Sequence, residues 1–179
     1  MLVKPQGQLC AECHEEMGKP FQAAKVKHQP VENGECTSCH DPHASANKNL
    51  LLKPDGQLCF DCHDDLAAQL DKAKVKHQPV DNGECTSCHD PHASANKKLL
   101  LKPDGQLCFD CHDDLQAQLA KAKVKHQPVD NGECTSCHDP HASANKNLLL
   151  KPDGKLCFEC HDDFQAQLAK AKVKHQPVE

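Results

Sequence analysis

Arginine, tryptophan, tyrosine and isoleucine are missing altogether from the 179 residues, and methionine occurs only twice. Without guanidinium forks or stacking aromatics the chain lacks the groups with which proteins usually grip nucleic acid, and nucleic-acid binding is excluded from the reading. The longest apolar runs, such as Leu50-Leu51-Leu52, are three residues long, whereas about 20 are needed to span a membrane. Met1-Leu2-Val3-Lys4-Pro5 opens the sequence with no apolar leader. Leu, Val and Phe together number only 33, below the roughly one-fifth share under which a chain stays unfolded unless something else organises it. An ordinary hydrophobic core is therefore not expected. Small scaffolds in this position recruit disulfides, metals or cofactors.

What the chain does have is 14 cysteines, 14 histidines and 21 lysines, with a net charge of −5. It also repeats. Residues 53–101 and 102–150 differ only at Ala67/Gln116, Asp71/Ala120 and Lys98/Asn147. The 49-residue period extends back to 4–52, whose middle departs at Met17-Gly18-Lys19-Pro20-Phe21, and forward into a partial unit, 151–179. Residues 1–179 are thus read as one repeat array that stops in mid-unit. Asp64 to Lys74 has acids in its first turn, lysines near its end and good helix formers between, which predicts a helix of two to three turns, repeated at Asp113 and Asp162. Asp81-Asn82-Gly83 and Lys102-Pro103-Asp104-Gly105 read as turns without the flanking apolar alternation of a hairpin. The expected fold is mostly irregular, with short α-helices, little or no β structure, and a cofactor in place of a core.

Every cysteine lies in a Cys-x-x-Cys-His motif: Cys10/Cys13/His14, Cys36/Cys39/His40, Cys59/Cys62/His63, Cys85/Cys88/His89, Cys108/Cys111/His112, Cys134/Cys137/His138 and Cys157/Cys160/His161. Two thiols at this spacing bond the two vinyl groups of one haem, and the adjoining histidine then lies under the iron. Tetrahedral zinc does not call for a histidine after every second cysteine, and a disulfide framework would not pin one there. Seven covalent haems c are expected, in an array organised around them.

Seven histidines remain: His28, His77, His126 and His175 in Lys-Val-Lys-His-Gln-Pro-Val, and His43, His92 and His141 in Asp-Pro-His. Seven spare imidazoles for seven irons predict bis-histidine coordination, since Met1 and Met17 cannot supply the axial thioethers. His77 lies 14 residues beyond His63, roughly 21 Å if helical, too far for one iron, so His28, His77 and His126 are expected to serve the following haems at Cys36, Cys85 and Cys134. His92 follows His89 too closely to wrap round the same macrocycle, which sends His43, His92 and His141 to Cys59, Cys108 and Cys157. The Cys10 haem and His175 are then left at opposite ends, and His175 is expected to ligate the Cys10 haem of the next copy, building an open head-to-tail filament. If His43, His92 and His141 instead reach back to Cys10, Cys59 and Cys108, His175 serves Cys157 within one chain.

The unit His-Gln-Pro-Val-Asp-Asn-Gly-Glu-Cys-Thr-Ser-Cys-His-Asp-Pro-His, followed by Leu-Leu-Leu-Lys-Pro-Asp-Gly-Gln-Leu-Cys-Phe-Asp-Cys-His, resembles the doubled-CxxCH family of multihaem c-type cytochromes over essentially the whole chain. The resemblance implies covalent haem c, bis-histidine ligation and electron transfer outside the cytoplasm, extracellular or periplasmic, to redox partner proteins or extracellular acceptors. Extracellular cytochrome filaments are built on similar principles. Identical repeats give each haem the same neighbours and similar potentials, as a conduit requires. A soluble periplasmic shuttle shares this chemistry without the assembly. An enzyme would need an open iron, which the ligand count confines to an end haem at Cys10 or Cys157, and no enzymatic role is expected.

Overall fold

The computed structural model describes residues 2–173. Its secondary structure recurs with the sequence period. Helices Gln6–Ala11, Asp55–Phe60, Asp104–Phe109 and Asp153–Cys157 each carry the first cysteine of a motif, and each is followed by a nine-residue helix: Glu15–Ala23, Asp64–Lys72, Asp113–Lys121 and Asp162–Lys170. Single-turn helices Gln29–Glu32, Gln78–Asp81 and Gln127–Asp130 lead into 3-10 turns at Cys36–Ser38, Cys85–Ser87 and Cys134–Ser136, which hold the alternate motifs. The fold is thus short helices and irregular chain with very little sheet.

The helix predicted from Asp64 ends at Lys72, with Asp64 and Asp65 in its first turn and Lys72 in its last, matching the helix dipole at both ends. Two expectations fail locally. Lys102-Pro103-Asp104-Gly105 is no free-standing turn: Pro103 caps the helix Asp104–Phe109 and Asp104 sits in its first turn, because proline's fixed φ suits a helix start. The divergent stretch Met17–Phe21 likewise stays helical within Glu15–Ala23, a helix of the same length as its counterparts that packs on the distant strand Ala93–Ser94. Tertiary contact overrides the weak local propensity there.

Four two-residue strands carry the long-range order: β1 (Val26–Lys27), β2 (Val75–Lys76), β3 (Ala93–Ser94) and β4 (Ala142–Ser143). They pair antiparallel as β1 with β3 and β2 with β4, Val26 opposite Ser94 and Val75 opposite Ser143. Each pair therefore staples a unit to the one after it. A second staple joins successive motifs. Gly83, at φ +74 in its Asn-Gly turn, lies against Gly56 so closely that a Cβ on Gly56 would come within 2.7 Å of the Gly83 Cα. Gly7 and Gly34, and Gly105 and Gly132, repeat the contact. Hydrogen bonds reinforce it: the Thr86 and Thr135 hydroxyls donate to Asp55 and Asp104 at 2.6 Å. Among the described residues Leu70 and Ala142 are the only buried apolar side chains. Protein side chains alone do not fill this interior.

Candidate functional site

Both kinds of motif gather their thiols and histidine by the same short-range device. The backbone N–H of the motif histidine donates to the carbonyl of the first cysteine four residues back, at 3.0 Å for His40 to Cys36 and for His63 to Cys59. One helical turn thus presents two thiols and one imidazole together.

The imidazoles then meet in pairs. His28 faces His63 (6.2 Å between ring centroids, 14° between planes), His40 faces His92 (6.1 Å, 10°), His77 faces His112 (6.2 Å, 15°), His89 faces His141 (6.2 Å, 12°) and His126 faces His161 (6.0 Å, 24°). Rings in direct stacking contact would sit closer. Two metal–imidazole bonds of about 2 Å hold trans nitrogens about 4 Å apart, and half a ring on each side brings the centroids to about 6 Å. The gap in all five pairs is that of one iron atom and its two axial bonds, so the residues fit haem, each pair uniting one motif histidine with one spare histidine.

Ring orientation is set by backbone carbonyls. His40, His89 and His138 place Nδ1 2.8 Å from the carbonyls of Asn49, Lys98 and Asn147. His28 and His77 place theirs 2.9 Å from those of Pro91 and Pro140. A carbonyl only accepts, so Nδ1 carries the proton and Nε2 is left with the lone pair a metal needs. The carbonyls facing His40, His89 and His138 come from strained turns, in which Asn49-Leu50, Lys98-Leu99 and Asn147-Leu148 all adopt positive φ of 54–58°. The spare histidines of Asp-Pro-His are aimed by another device. Asp90 Oδ1 accepts the backbone N–H groups of His92 (2.9 Å) and Ala93 (3.4 Å), and Asp139 does the same for His141 and Ala142. Burial holds His92 and His141 below the ordinary histidine pKa, against the pull of Asp90 and Asp139.

The pairing expected from spacing is corrected at every position that a described pair tests. His28, His77 and His126 skip the motif that follows them and face His63, His112 and His161, so they point to the haems at Cys59, Cys108 and Cys157, not Cys36, Cys85 and Cys134. His92 and His141 reach back 52 residues to His40 and His89, not forward to Cys108 and Cys157 and not to Cys59 and Cys108. The cause lies in the strand pairs, which fold each unit onto its predecessor and bring His28 and His92 together through a 3.0 Å backbone hydrogen bond. Two-residue strands leave no periodic signal in a sequence. The expectation of an open iron at Cys157 also falls, since His161 faces His126. Instead, among the described residues no imidazole faces His138, whose ring is nonetheless anchored to Asn147. His43 points outward, its side chain 93% exposed. His175 lies outside the described residues, and the expectation placed on it with it.

Thiols of successive motifs are adjacent. Cys59 and Cys85, with the Asp55 carboxylate, put their ligand atoms within 4.8 Å of one another, as do Cys108, Cys134 and Asp104. A hydrogen bond to Cys85 pushes the Cys59 thiol far up and draws Cys85 down to about 7, so the two share a proton. Burial and the Cys134 thiolate push Cys108 up to about 12. Cys10 acts on Cys36 in the same way, Cys62 on Cys39 and Cys111 on Cys88. The motifs therefore follow one another in space in their order along the chain, from Cys10 at least to Cys134. Each Asp-Cys-Cys cluster offers three donors where structural zinc takes four, and it would draw one thiol from each of two motifs, leaving their partner cysteines and histidines without a role.

Identical repeats lead one to expect identical neighbours at every motif, and the structure corrects this at Cys13, Cys137 and Cys160. Cys13 and Cys160 are exposed and Cys137 is half-buried, and among the described residues no thiol of another motif is placed against any of the three. Their counterparts do meet one: Cys62 and Cys111 stand where Cys13 and Cys160 do in the repeat, and Cys88 where Cys137 does. The reasons are local. No motif precedes Cys10 in this sequence, so nothing stands to Cys13 as Cys39 stands to Cys62. At the other end the helix Asp153–Cys157 stops one residue short of its counterparts, and its Gly154 touches no other segment within 4 Å, so the motif holding Cys160 is not clamped as the earlier ones are, and Cys137 loses its neighbour. Within their own motifs all three keep the usual turn, each backbone N–H donating to the carbonyl of the first cysteine: Cys13 to Cys10 and Cys137 to Cys134 at 3.2 Å, Cys160 to Cys157 at 3.4 Å. Motif spacing, rather than contact with the rest of the row, is what assigns these three thiols to haem.

No curated protein shows significant similarity to the chain. The doubled CXXCH motif family matches residues 28–68, 77–117 and 126–166. Each matched segment starts at a spare histidine, His28, His77 or His126, and contains the motif histidine it faces; together they take in six motifs, the one at Cys10 lying outside. With more than half its residues matched, the chain belongs to the doubled CXXCH motif family, and its paired motifs mark it as a multihaem c-type cytochrome that binds haem c covalently.

Proposed function

We propose that the chain carries seven haems and conducts electrons along them as a bis-histidine row, assembled head to tail as a subunit of an extracellular filament. The observation that supports this best is the series of five imidazole pairs, each with room for one iron, strung through motifs whose thiols from Cys10 to Cys134 adjoin in sequence order. Bound haem supplies a one-electron iron couple. The chain's part is to tether, orient and space: the fourteen cysteines form the thioethers, the motif histidines hold one axial position, and the spare histidines present Nε2 to the other. Because the carbonyls of Asn49 and Pro91 keep their protons on Nδ1, His40 and His28 need no rearrangement to ligate. Near-identical surroundings in successive units favour similar potentials, which an extended row requires. His175 of one copy is assigned to the Cys10 haem of the next, and reduction of a substrate is not part of the reading.

Haem count and assembly test it together. Absorbance of the pyridine haemochrome combined with intact mass should give seven haems per chain, and electron microscopy should show filaments with a regular axial repeat. Six haems would overturn the count, and dispersed particles at all concentrations would replace the filament with a diffusing periplasmic shuttle. His138 favours a second reading, in which the Cys134 iron has an open axial position for an exogenous ligand. Carbon monoxide binding to one reduced haem per assembled chain would select that reading.

A further inference from the structure

The junction between units is made twice within the chain and left half-made at further places. One half is Lys-Val-Lys-His, found at Lys25–His28, Lys74–His77, Lys123–His126 and Lys172–His175; the other is Asp-Pro-His-Ala-Ser, at Asp41–Ser45, Asp90–Ser94 and Asp139–Ser143. The first Lys-Val-Lys-His joins the second Asp-Pro-His-Ala-Ser, and the second joins the third. Each completed junction adds two bonds from a histidine: His28 N–H to the His92 carbonyl at 3.0 Å and His28 Nδ1 to the Pro91 carbonyl at 2.9 Å, matched by His77 with His141 and Pro140.

Exposure separates made from unmade junctions. Val26 and Val75 are half-buried, whereas Val124 and Val173 are 87% and 88% exposed. The unpaired receiving loop is nevertheless already shaped. Asp41 Oδ1 accepts His43 N–H at 2.9 Å and Ala44 N–H at 3.3 Å, and Ser45 Oγ and Asn47 Nδ2 donate to the Leu51 carbonyl at 2.5 and 3.0 Å, as their counterparts do in the paired loops. A preformed extended edge of this kind pairs readily with a further chain.

We propose that the Ala44–Ser45 edge receives the Val173 segment of a second copy of this chain, repeating the β1–β3 junction between molecules. The proposal rests on the head-to-tail reading and gives it a surface. The donor follows from register. Pairing Val124 with Ser45 of a second copy in the in-chain geometry would lay that copy's residues 4–32 over the first copy's 151–179, which are the same part of the repeat; pairing Val173 creates no such overlap. Val173 then stands opposite Ser45 and Lys174 opposite Ala44, and the same register directs His175 toward His14 of the second copy as His28 is directed toward His63. The contact is heterologous and does not close on itself.

The test uses the haem-loaded chain and Val173→Pro, which removes the edge N–H from an exposed residue that completes no junction within its own chain. Sedimentation and electron microscopy read assembly; haem count and the low-spin spectrum read the intact molecule. The expected result is at least a tenfold loss of assembled material for Val173→Pro with unchanged haem content, assembly of Val124→Pro at the level of the unmodified chain, and hydrogen-exchange protection of the Ala44 and Ser45 amides on assembly. Filaments formed by Val173→Pro at the unmodified level would overturn this edge while leaving the head-to-tail reading in place. Failure of the unmodified chain to assemble would overturn both.

Discussion

His40 and His92 face each other across 6.1 Å with their planes 10° apart, although 52 residues of chain and two further motifs lie between them. The relation fixes which iron loses a ligand when one histidine is removed. His92→Ala should convert one haem from low to high spin and open it to carbon monoxide, and that haem should be the one on Cys36. Epistasis identifies it. In a Cys36→Ser/Cys39→Ser background, His92→Ala should bring no further loss of low-spin signal, whereas in a Cys108→Ser/Cys111→Ser background it should cost one haem's worth. The opposite pattern would restore the forward pairing.

Gly56 and Gly154 occupy the same place in the repeat and should respond oppositely to alanine. A Cβ on Gly56 meets the backbone of Gly83 at 2.7 Å, whereas one on Gly154 meets nothing within 4 Å. Gly56→Ala forces two backbone segments apart and should destabilise by about 1–3 kcal/mol. Gly154→Ala, inside the helix Asp153–Cys157, should stabilise by up to about 1 kcal/mol. Thermal unfolding of the haem-loaded variants reads both, and equal shifts would discount the glycine contact.

Chemistry was more legible in the sequence than connection. The motif cysteines and histidines announce themselves by spacing, and the Asp64 helix by its charges, because both are local. The partner of each spare histidine was not legible, since it depends on strands two residues long whose pairing joins Val26 to Ser94. The carbonyls that orient His40, His89 and His138 were equally hidden. They belong to turns with two residues at positive φ, where glycine would be the usual signal, and here Asn49, Lys98 and Asn147 stand beside leucines. The aspartate of Asp-Pro-His was the available clue to a side-chain-capped turn, and its bond to the histidine N–H two residues on is what aims His92.

Acid should loosen the strand junctions before it protonates carboxylates. Burial holds His92 and His141 below the ordinary histidine value of 6.5 in the folded chain, with Asp90 and Asp139 opposing the shift. Between 6.5 and the lower folded values the unfolded chain binds more protons, so these groups contribute stability above about 6.5 that is lost as pH falls through the folded pKa. Ligation at Nε2, which excludes the same proton, acts in the same direction. Guanidinium midpoints should hold steady from pH 8 to 7 and decline toward pH 5. A midpoint that rises on acidification would contradict this.

Asp90→Asn should raise the reduction potential of one haem. Asp90 Oδ1 lies 3.6 Å from His92 Nδ1, so the distal imidazole of the Cys36 site faces a carboxylate, while His28, which faces His63 at the Cys59 site, turns Nδ1 to the neutral carbonyl of Pro91. Asp139 and His141 repeat the first arrangement, and Pro140 and His77 the second. A negative charge beside an axial imidazole favours the more positive oxidised iron, so the sites alternate along the chain between a lower and a higher potential. Asparagine keeps an oxygen to accept the His92 N–H and removes only the charge. Spectroelectrochemical titration should show one haem equivalent moving to higher potential with its low-spin spectrum intact, and an unchanged titration curve would mean that solvent screens the carboxylate and the two kinds of site are equivalent.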